Sequence, residues 1–160
     1  MRRFLPLLCL TLLPLRLLGA IGETPQQSIS RYGKPERDAM RESGLLYFRS
    51  EGLCVIAHFH QNRCDVLSIF RPEVSGGLHE ELSEERIKEL LLHDGGNADW
   101  QPLPGFTINR VWGSADGKTF AIYDTMRHKL VIMTREAYRR EKEAKKEALR
   151  TIGMEQKATR

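Results

Sequence analysis

Leu53-Cys54-Val55-Ile56-Ala57-His58-Phe59-His60, then Gln61-Asn62, then Arg63-Cys64-Asp65-Val66-Leu67-Ser68-Ile69-Phe70 reads as two strands around a two-residue turn, and its pairing decides the fold. Successive strand side chains point to opposite faces, and a two-residue loop fixes the register. A loop at Gln61-Asn62 sets Phe59 opposite Cys64 and Ala57 opposite Val66. One face then collects Leu53, Val55, Ala57, Phe59, Cys64, Val66 and Phe70, which is apolar and fit to bury. The other carries Ile56, His58, His60, Arg63, Asp65, Leu67 and Ile69, polar near the turn and oily further away.

Before this hairpin, Leu45 to Arg49 has strand chemistry and Ser50-Glu51-Gly52 is a turn. Further upstream, Thr24-Pro25-Gln26-Gln27 opens a helix: the threonine caps, Pro25 sits where a missing N–H costs nothing, and Gln27 completes a capping box. Gly33 and Pro35 end that helix after Tyr32. After the hairpin, residues 72–77 form a loop, and Ser83 caps a second helix whose core stripe is Ile87, Leu90 and Leu91. Gly95-Gly96 stops it. Trp100, Leu103 and Phe106 follow in an irregular segment, and Ile108 to Ser114, Thr119 to Asp124 and Lys129 to Thr134 read as three more strands.

The expected fold class is α+β: two helix-plus-antiparallel-strand units form a sheet backed by helices, followed by a charged C-terminal helix. The domain runs over 21–134, with 21–71 and 82–134 as its repeated units. Sliding residues 53–69 onto 117–133 places Ala57 on Ala121, Phe59 on Tyr123, Arg63 on Arg127, Val66 on Leu130 and Leu67 on Val131. Residues 135–160 form a polar tail, helical to about Arg150, with Glu136–Arg140 and Glu141–Lys145 in the favourable i,i+4 order. Its few apolar side chains predict a mostly solvated helix.

At the N-terminus, Arg2-Arg3 precede an apolar run from Phe4 to Leu18, and Gly19-Ala20 close it with small side chains. This is the pattern of an export signal over residues 1–20, cut near Ala20. Pro6, Pro14 and Arg16 break the run, so a membrane tether by residues 4–18 is the alternative reading, and membrane contact is expected only if the segment stays uncleaved. Leu8 rather than a small residue precedes Cys9, so a lipid-modified cysteine is not expected. The expected location is secreted or periplasmic.

The chain has 160 residues and a formal charge of +4. The excess sits outside the body: residues 1–20 hold three arginines, residues 135–160 hold nine basic and five acidic groups, and residues 21–134 hold thirteen basic and sixteen acidic. A body of net −3 with no basic patch interleaved with aromatics excludes nucleic-acid binding. Beyond the leader, only Cys54 and Cys64 remain. In an oxidising compartment they would be disulfide candidates, but the hairpin separates them too far to bridge, which favours buried thiols.

The sharpest chemical constellation is His58-x-His60, because alternate strand residues share a face and two imidazoles there can hold a metal. Asp65, opposite His58 in the expected register, could orient a ring or add an oxygen ligand. A third strong ligand is not fixed by spacing; His79, His93 and His128 lie elsewhere. No nucleophile elbow, P-loop, dinucleotide fingerprint or zinc-protease helix is present, and no motif calls for a cofactor. No catalytic residue is assigned. Trp100, Trp112, Tyr47, Phe48, Phe120 and Tyr123 read as core filling, or as rings that dock a partner.

Gly22-Glu23-Thr24 through Gly33-Lys34-Pro35, followed by strands and Phe59-His60-Gln61-Asn62-Arg63-Cys64, resembles the β-lactamase-inhibitor-like domains and the small lipoproteins of outer-membrane assembly. In both, a glycine and threonine open a helix, Gly-x-Pro closes it, and a hairpin follows. The likeness covers residues 22–70, and the chain is also similar to small secreted bacterial proteins with a charged helical end. The resemblance implies binding or assembly and no catalytic residues. The expected function is thus an exported, non-enzymatic interaction or assembly domain of the bacterial cell envelope with an envelope protein partner. The alternative is a small metal-binding protein or metal-dependent enzyme built on His58, His60 and Asp65.

Overall fold

Two tight turns set the register of the first half. Glu51 (φ 49°) and Gly52 (φ 75°), and likewise Gln61 (φ 49°) and Asn62 (φ 62°), take left-handed conformations, the geometry whose twist matches a two-residue hairpin. The computed structural model describes residues 19–74, 78–96, 99–104 and 108–158. The leader run at 1–18, the end of the loop at 72–77 and Phe106 lie outside the described residues.

In chain order the elements are α1 (Pro25–Tyr32), β1 (Arg37–Ala39), α2 (Met40–Ser43), β2 (Leu45–Ser50), β3 (Leu53–His60), β4 (Arg63–Phe70), β5 (Glu73–Val74), β6 (Leu78–His79), α3 (Glu84–Asp94), β7 (Trp100–Leu103), β8 (Asn109–Ser114), β9 (Thr119–Asp124), β10 (Lys129–Thr134) and α4 (Arg135–Ala158). The protein is α+β. One antiparallel sheet has the order β1-β2-β3-β4-β10-β9-β8-β7, and β5 pairs with β6 alone. From either edge the strands run inward in chain order, β1 to β4 and β7 to β10, and β4 meets β10 at the centre. Both edges are blunted: β1 is three residues long, and β7 carries Pro102.

The hairpin β3–β4 departs from the expected register. His60 pairs with Arg63 and Phe59 with Cys64, but the register then shifts, so that His58 pairs with Val66 and Ala57 with Leu67. Asp65 is the extra residue of a β-bulge. Beyond it, every β4 side chain changes face: Leu67 and Ile69 are fully buried, while Val66 and Phe70 turn to the opposite side. The same insertion limits the slide of residues 53–69 onto 117–133. Ala57 and Ala121 both lie buried, as do Phe59 and Tyr123, but Val66 and Leu130 point to opposite faces.

The core lies on one face of the sheet. Leu46, Phe48, Val55, Ala57, Leu67, Ile69, Ala121, Tyr123, Leu130 and Ile132 meet Leu82 and the α3 stripe of Ile87, Leu90 and Leu91, with Ile29 and Tyr32 of α1 packed alongside. Both helices start as their sequences dictate. Thr24 accepts the Gln27 N–H at 3.3 Å while the Gln27 side chain accepts the Thr24 N–H at 2.9 Å, and Ser83 caps the Arg86 N–H at 3.2 Å. Buried polar groups on this face are paired: the Leu82 N–H donates to the Tyr123 hydroxyl at 3.2 Å, and the Trp100 indole donates to the Leu91 carbonyl at 2.9 Å.

Trp100–Leu103 is a strand rather than irregular chain, because an edge position tolerates the missing N–H of Pro102. Gly19 and Ala20 belong to the body. Ala20 is fully buried in the core, and a Cβ on Gly19 would collide with the Gly96 backbone. The Gly22 N–H donates to the Cys64 carbonyl at 2.7 Å and the Cys64 N–H to the Glu23 carbonyl at 2.8 Å, so this segment is tied to β4. A cut after Ala20 would fall within packed structure. Among the described residues, no helix is long and apolar enough to cross a membrane.

The bulge is testable by paired truncations. Leu67→Ala should cost about 2–4 kcal/mol in urea denaturation and Val66→Ala about 1 kcal/mol or less; equal losses, or a larger loss at position 66, would overturn the bulged register.

Candidate functional site

The second face of the sheet is crossed by α4, which starts directly after β10 and turns back over it. Thr134 caps the helix, accepting the Ala137 N–H at 3.1 Å. At about 100° per residue, Ala137 faces the sheet and is buried. Tyr138, Glu141, Lys142 and Lys145 form a stripe on one flank, and Arg140 lies on the other. Tyr138 meets Phe120 edge-on, with ring centroids 5.1 Å apart, and Arg140 forms an ion pair with Asp65. The first turns of α4 are therefore docked, while residues 141–150 are exposed, as expected of a mostly solvated helix. Three side chains, Ala137, Tyr138 and Arg140, suffice to hold its start, too few to leave a periodic apolar signal.

Between the stripe and the sheet runs a half-open groove of about 590 Å³. Val66, Ser68, Val131, Met133 and Ile122 make its floor, and Asn109, Asp124, Arg127 and Lys129 close one end. Lys145 lies 2.7 Å from Glu141, and Arg127 lies 3.7 Å from Asp124. Lys129 and Lys142 line the same groove and have no carboxylate partner among the described residues.

On the other flank of α4, His58 Nδ1 lies 2.8 Å from Asp65 Oδ1, and Arg140 takes the second carboxylate oxygen. The sequence joined His58 to Asp65 as direct opposites on one face; the contact forms, but with Asp65 as the bulge residue and Val66 as the residue paired with His58. His60 stands exposed at the strand end opposite Arg63. Among the described residues, no three His, Cys, Asp or Glu groups converge as metal ligands do. His79 stacks on Phe70 at 4.3 Å and its carbonyl lies 2.6 Å from His128 Nδ1, while His93 ends α3. Asp65 here serves as a clasp between β3, β4 and α4.

The cysteines lie on opposite faces and both are free. Burial pushes the Cys64 thiol well above its ordinary range, helped by the nearby Asp65 and Glu23 carboxylates, so its thiolate is disfavoured as a nucleophile.

A polar cluster that sequence reasoning missed lies where α1 meets α3. Arg31 Nη2 pairs with Glu23 at 2.6 Å, Ser28 donates to Glu23 at 3.4 Å, and the Tyr32 hydroxyl donates to Asp94 at 2.7 Å. The cluster borders a cleft of about 420 Å³ that Arg86, Glu89 and His93 also line. Tyr32 and Asp94 are 62 residues apart in sequence, and nothing local signals their pairing. Burial raises the Asp94 carboxyl above its ordinary range, against the lowering effects of the Tyr32 hydrogen bond and the Arg31 charge.

No family model matches this chain, and no curated protein matches it. Among solved structures, the chain is similar to a DUF4309 family protein (YjgB) from Bacillus subtilis subsp. subtilis str. 168, at 15% identity over 70% of this chain and 78% of that one, with a TM-score of 0.38. It is also similar to a cysteine-rich secretory protein (SAV1118) from Staphylococcus aureus subsp. aureus Mu50, at 12% identity over 73% of this chain and 45% of that one, again with a TM-score of 0.38.

Two outcomes follow from this geometry. Arg140→Ala should destabilise the protein by about 1 kcal/mol, because the pair is partly exposed, and should speed amide exchange over residues 137–144; unchanged exchange would show that the Asp65 clasp does not hold α4. For Asp94, a raised native pKa means that its contribution to stability is full below the unfolded value near about 3.9 and is lost as pH rises through the native one. Asp94→Asn, which keeps an acceptor for Tyr32, should thus gain stability relative to the parent as pH rises above about 4, read from urea midpoints. A difference independent of pH would remove Asp94 as its source.

Proposed function

We propose that this chain is an exported, non-enzymatic interaction or assembly domain of the bacterial cell envelope, and that it binds through the second face of its sheet. One observation carries the reading. The core face is closed by α1 and α3, whereas Leu45, Tyr47, Ile56 and Phe70 on the second face stay half-buried, with α4 docked over the middle of the sheet. Apolar and aromatic side chains left partly open on a sheet are the material of a binding surface. Tyr47 is further dressed by Arg37, whose guanidinium lies 5.5 Å from the ring centroid, a pairing common where proteins meet. The leucine-rich N-terminal run supports export, and the resemblance of residues 22–70 to β-lactamase-inhibitor-like and outer-membrane assembly domains supports binding over catalysis. The buried Cys64 and the Asp65 carboxylate, held by His58 and Arg140, leave neither group free for chemistry.

The test places a photo-crosslinking residue at Tyr47 and, as a control, at Lys88 on the exposed side of α3, in cells making the full chain. A discrete adduct in the envelope fraction from position 47 and none from position 88 is the expected result. Equal adducts from both positions, or none from position 47, would count against the second face, and a chain recovered with its leader in the cytosol would remove the export part of the proposal.

A further inference from the structure

We infer that the groove beside α4 binds a free medium-chain carboxylate, with its tail along the floor and its head between Lys129 and Lys142. The inference rests on reading the second sheet face as a binding surface, and it names a ligand class for one part of that face.

The floor of the groove is apolar apart from Ser68, and its cations gather toward one end. Because α4 begins where β10 stops and folds back over it, Tyr138 lies beside Phe120, the cross-strand partner of Met133, at the apolar end. Lys142 and Lys145 lie further along toward Lys129 and Arg127. From Met133 to Lys129 the floor runs four strand residues, about 13 Å at ~3.3 Å each, and the wall from Tyr138 to Lys145 runs about 10 Å at 1.5 Å per helical residue. An occupant with an apolar tail and a charged head fits that gradient, and a groove of about 590 Å³ lies within the usual range for small-molecule sites.

The sign of the head group follows from the unpaired charges. Asp124 and Glu141 each face a cation already, through Arg127 and Lys145, whereas Lys129 and Lys142 lack a carboxylate among the described residues. A carboxylate between these two ammonium groups would supply the missing partner for both. An extended peptide is disfavoured because β4, β10 and β9, which supply the floor, each have strands on both sides; no backbone edge is open there for strand addition.

Calorimetric titration of the full chain with dodecanoate tests this, with dodecyltrimethylammonium, an acidic peptide and phosphatidylglycerol vesicles as the other arms. The expected result is saturable one-to-one binding of dodecanoate, weakened by about tenfold in the double variant Lys129→Gln, Lys142→Gln, with no comparable binding of the cationic amphiphile. Carboxyl-labelled dodecanoate should also titrate at lower pH when bound than when free, and this shift should vanish in the double variant. Both lysines lie on the groove rim, and circular dichroism checks that the variant keeps its fold. Equal binding of the cationic amphiphile, an affinity indifferent to the two lysines, binding of the acidic peptide or of vesicles without dodecanoate binding, or no binding in any arm would each overturn the inference. Dodecanoate failing while the Tyr47 adduct persists removes the groove ligand alone; dodecanoate binding without that adduct removes the wider reading alone.

Discussion

Asp65, one residue inserted into β4, sets which side chains build the core and how the last helix is held. Without the bulge, strand alternation would send Leu67 and Ile69 outward and Val66 and Phe70 inward. With it, Leu67 pairs with Ile132 and Ile69 with Leu130 at the central β4–β10 junction, and all four are fully buried. Burying a side chain of that size contributes about 1.5–3 kcal/mol, so the register of one strand governs a large part of the stability of a domain of this length. The Asp65 carboxylate itself lies on the second face, where it meets His58 and Arg140.

The two faces of the sheet are finished differently. On the core face, short capped helices and a ladder of aliphatic side chains exclude water, and the polar groups caught there, among them Glu23, Ser28 and Asp94, are matched with partners. On the second face, one helix docks through Ala137, Tyr138 and Arg140 and leaves a groove along its flank. The helix is anchored near its start on both flanks, by Tyr138 on Phe120 and by Arg140 on Asp65. Lys142 lies along the groove without a carboxylate partner among the described residues, whereas Lys145 pairs with Glu141.

Much of the fold was legible in the chain. Thr24-Pro25 and Ser83 announced both packed helices, since capping chemistry is local, and the alternation at 53–60, 63–70, 119–124 and 129–134 marked four strands at their observed bounds. The short edge strand β1 and the strand at Trp100 were not legible: three residues give no period, and Pro102 argues against a strand unless its edge position is known. Of the candidate site, the contact of His58 with Asp65 was foreseen, through a register that the bulge replaced. The docking of Arg140 on Asp65 and the pairing of Tyr32 with Asp94 span 75 and 62 residues, and local spacing carries no information over such distances.

The sequence by itself determined the α+β class, the helix starts, the tight turns and the presence of one strongly apolar sheet face, because each depends on neighbours within a few positions. The tertiary structure decided which β4 residues occupy that face, that Gly19 and Ala20 belong to the body, and that the first turns of α4 dock on the sheet. Those outcomes depend on a bulge whose energy is repaid by packing across β4 and β10, and on ion pairs that form only once distant segments have been brought together.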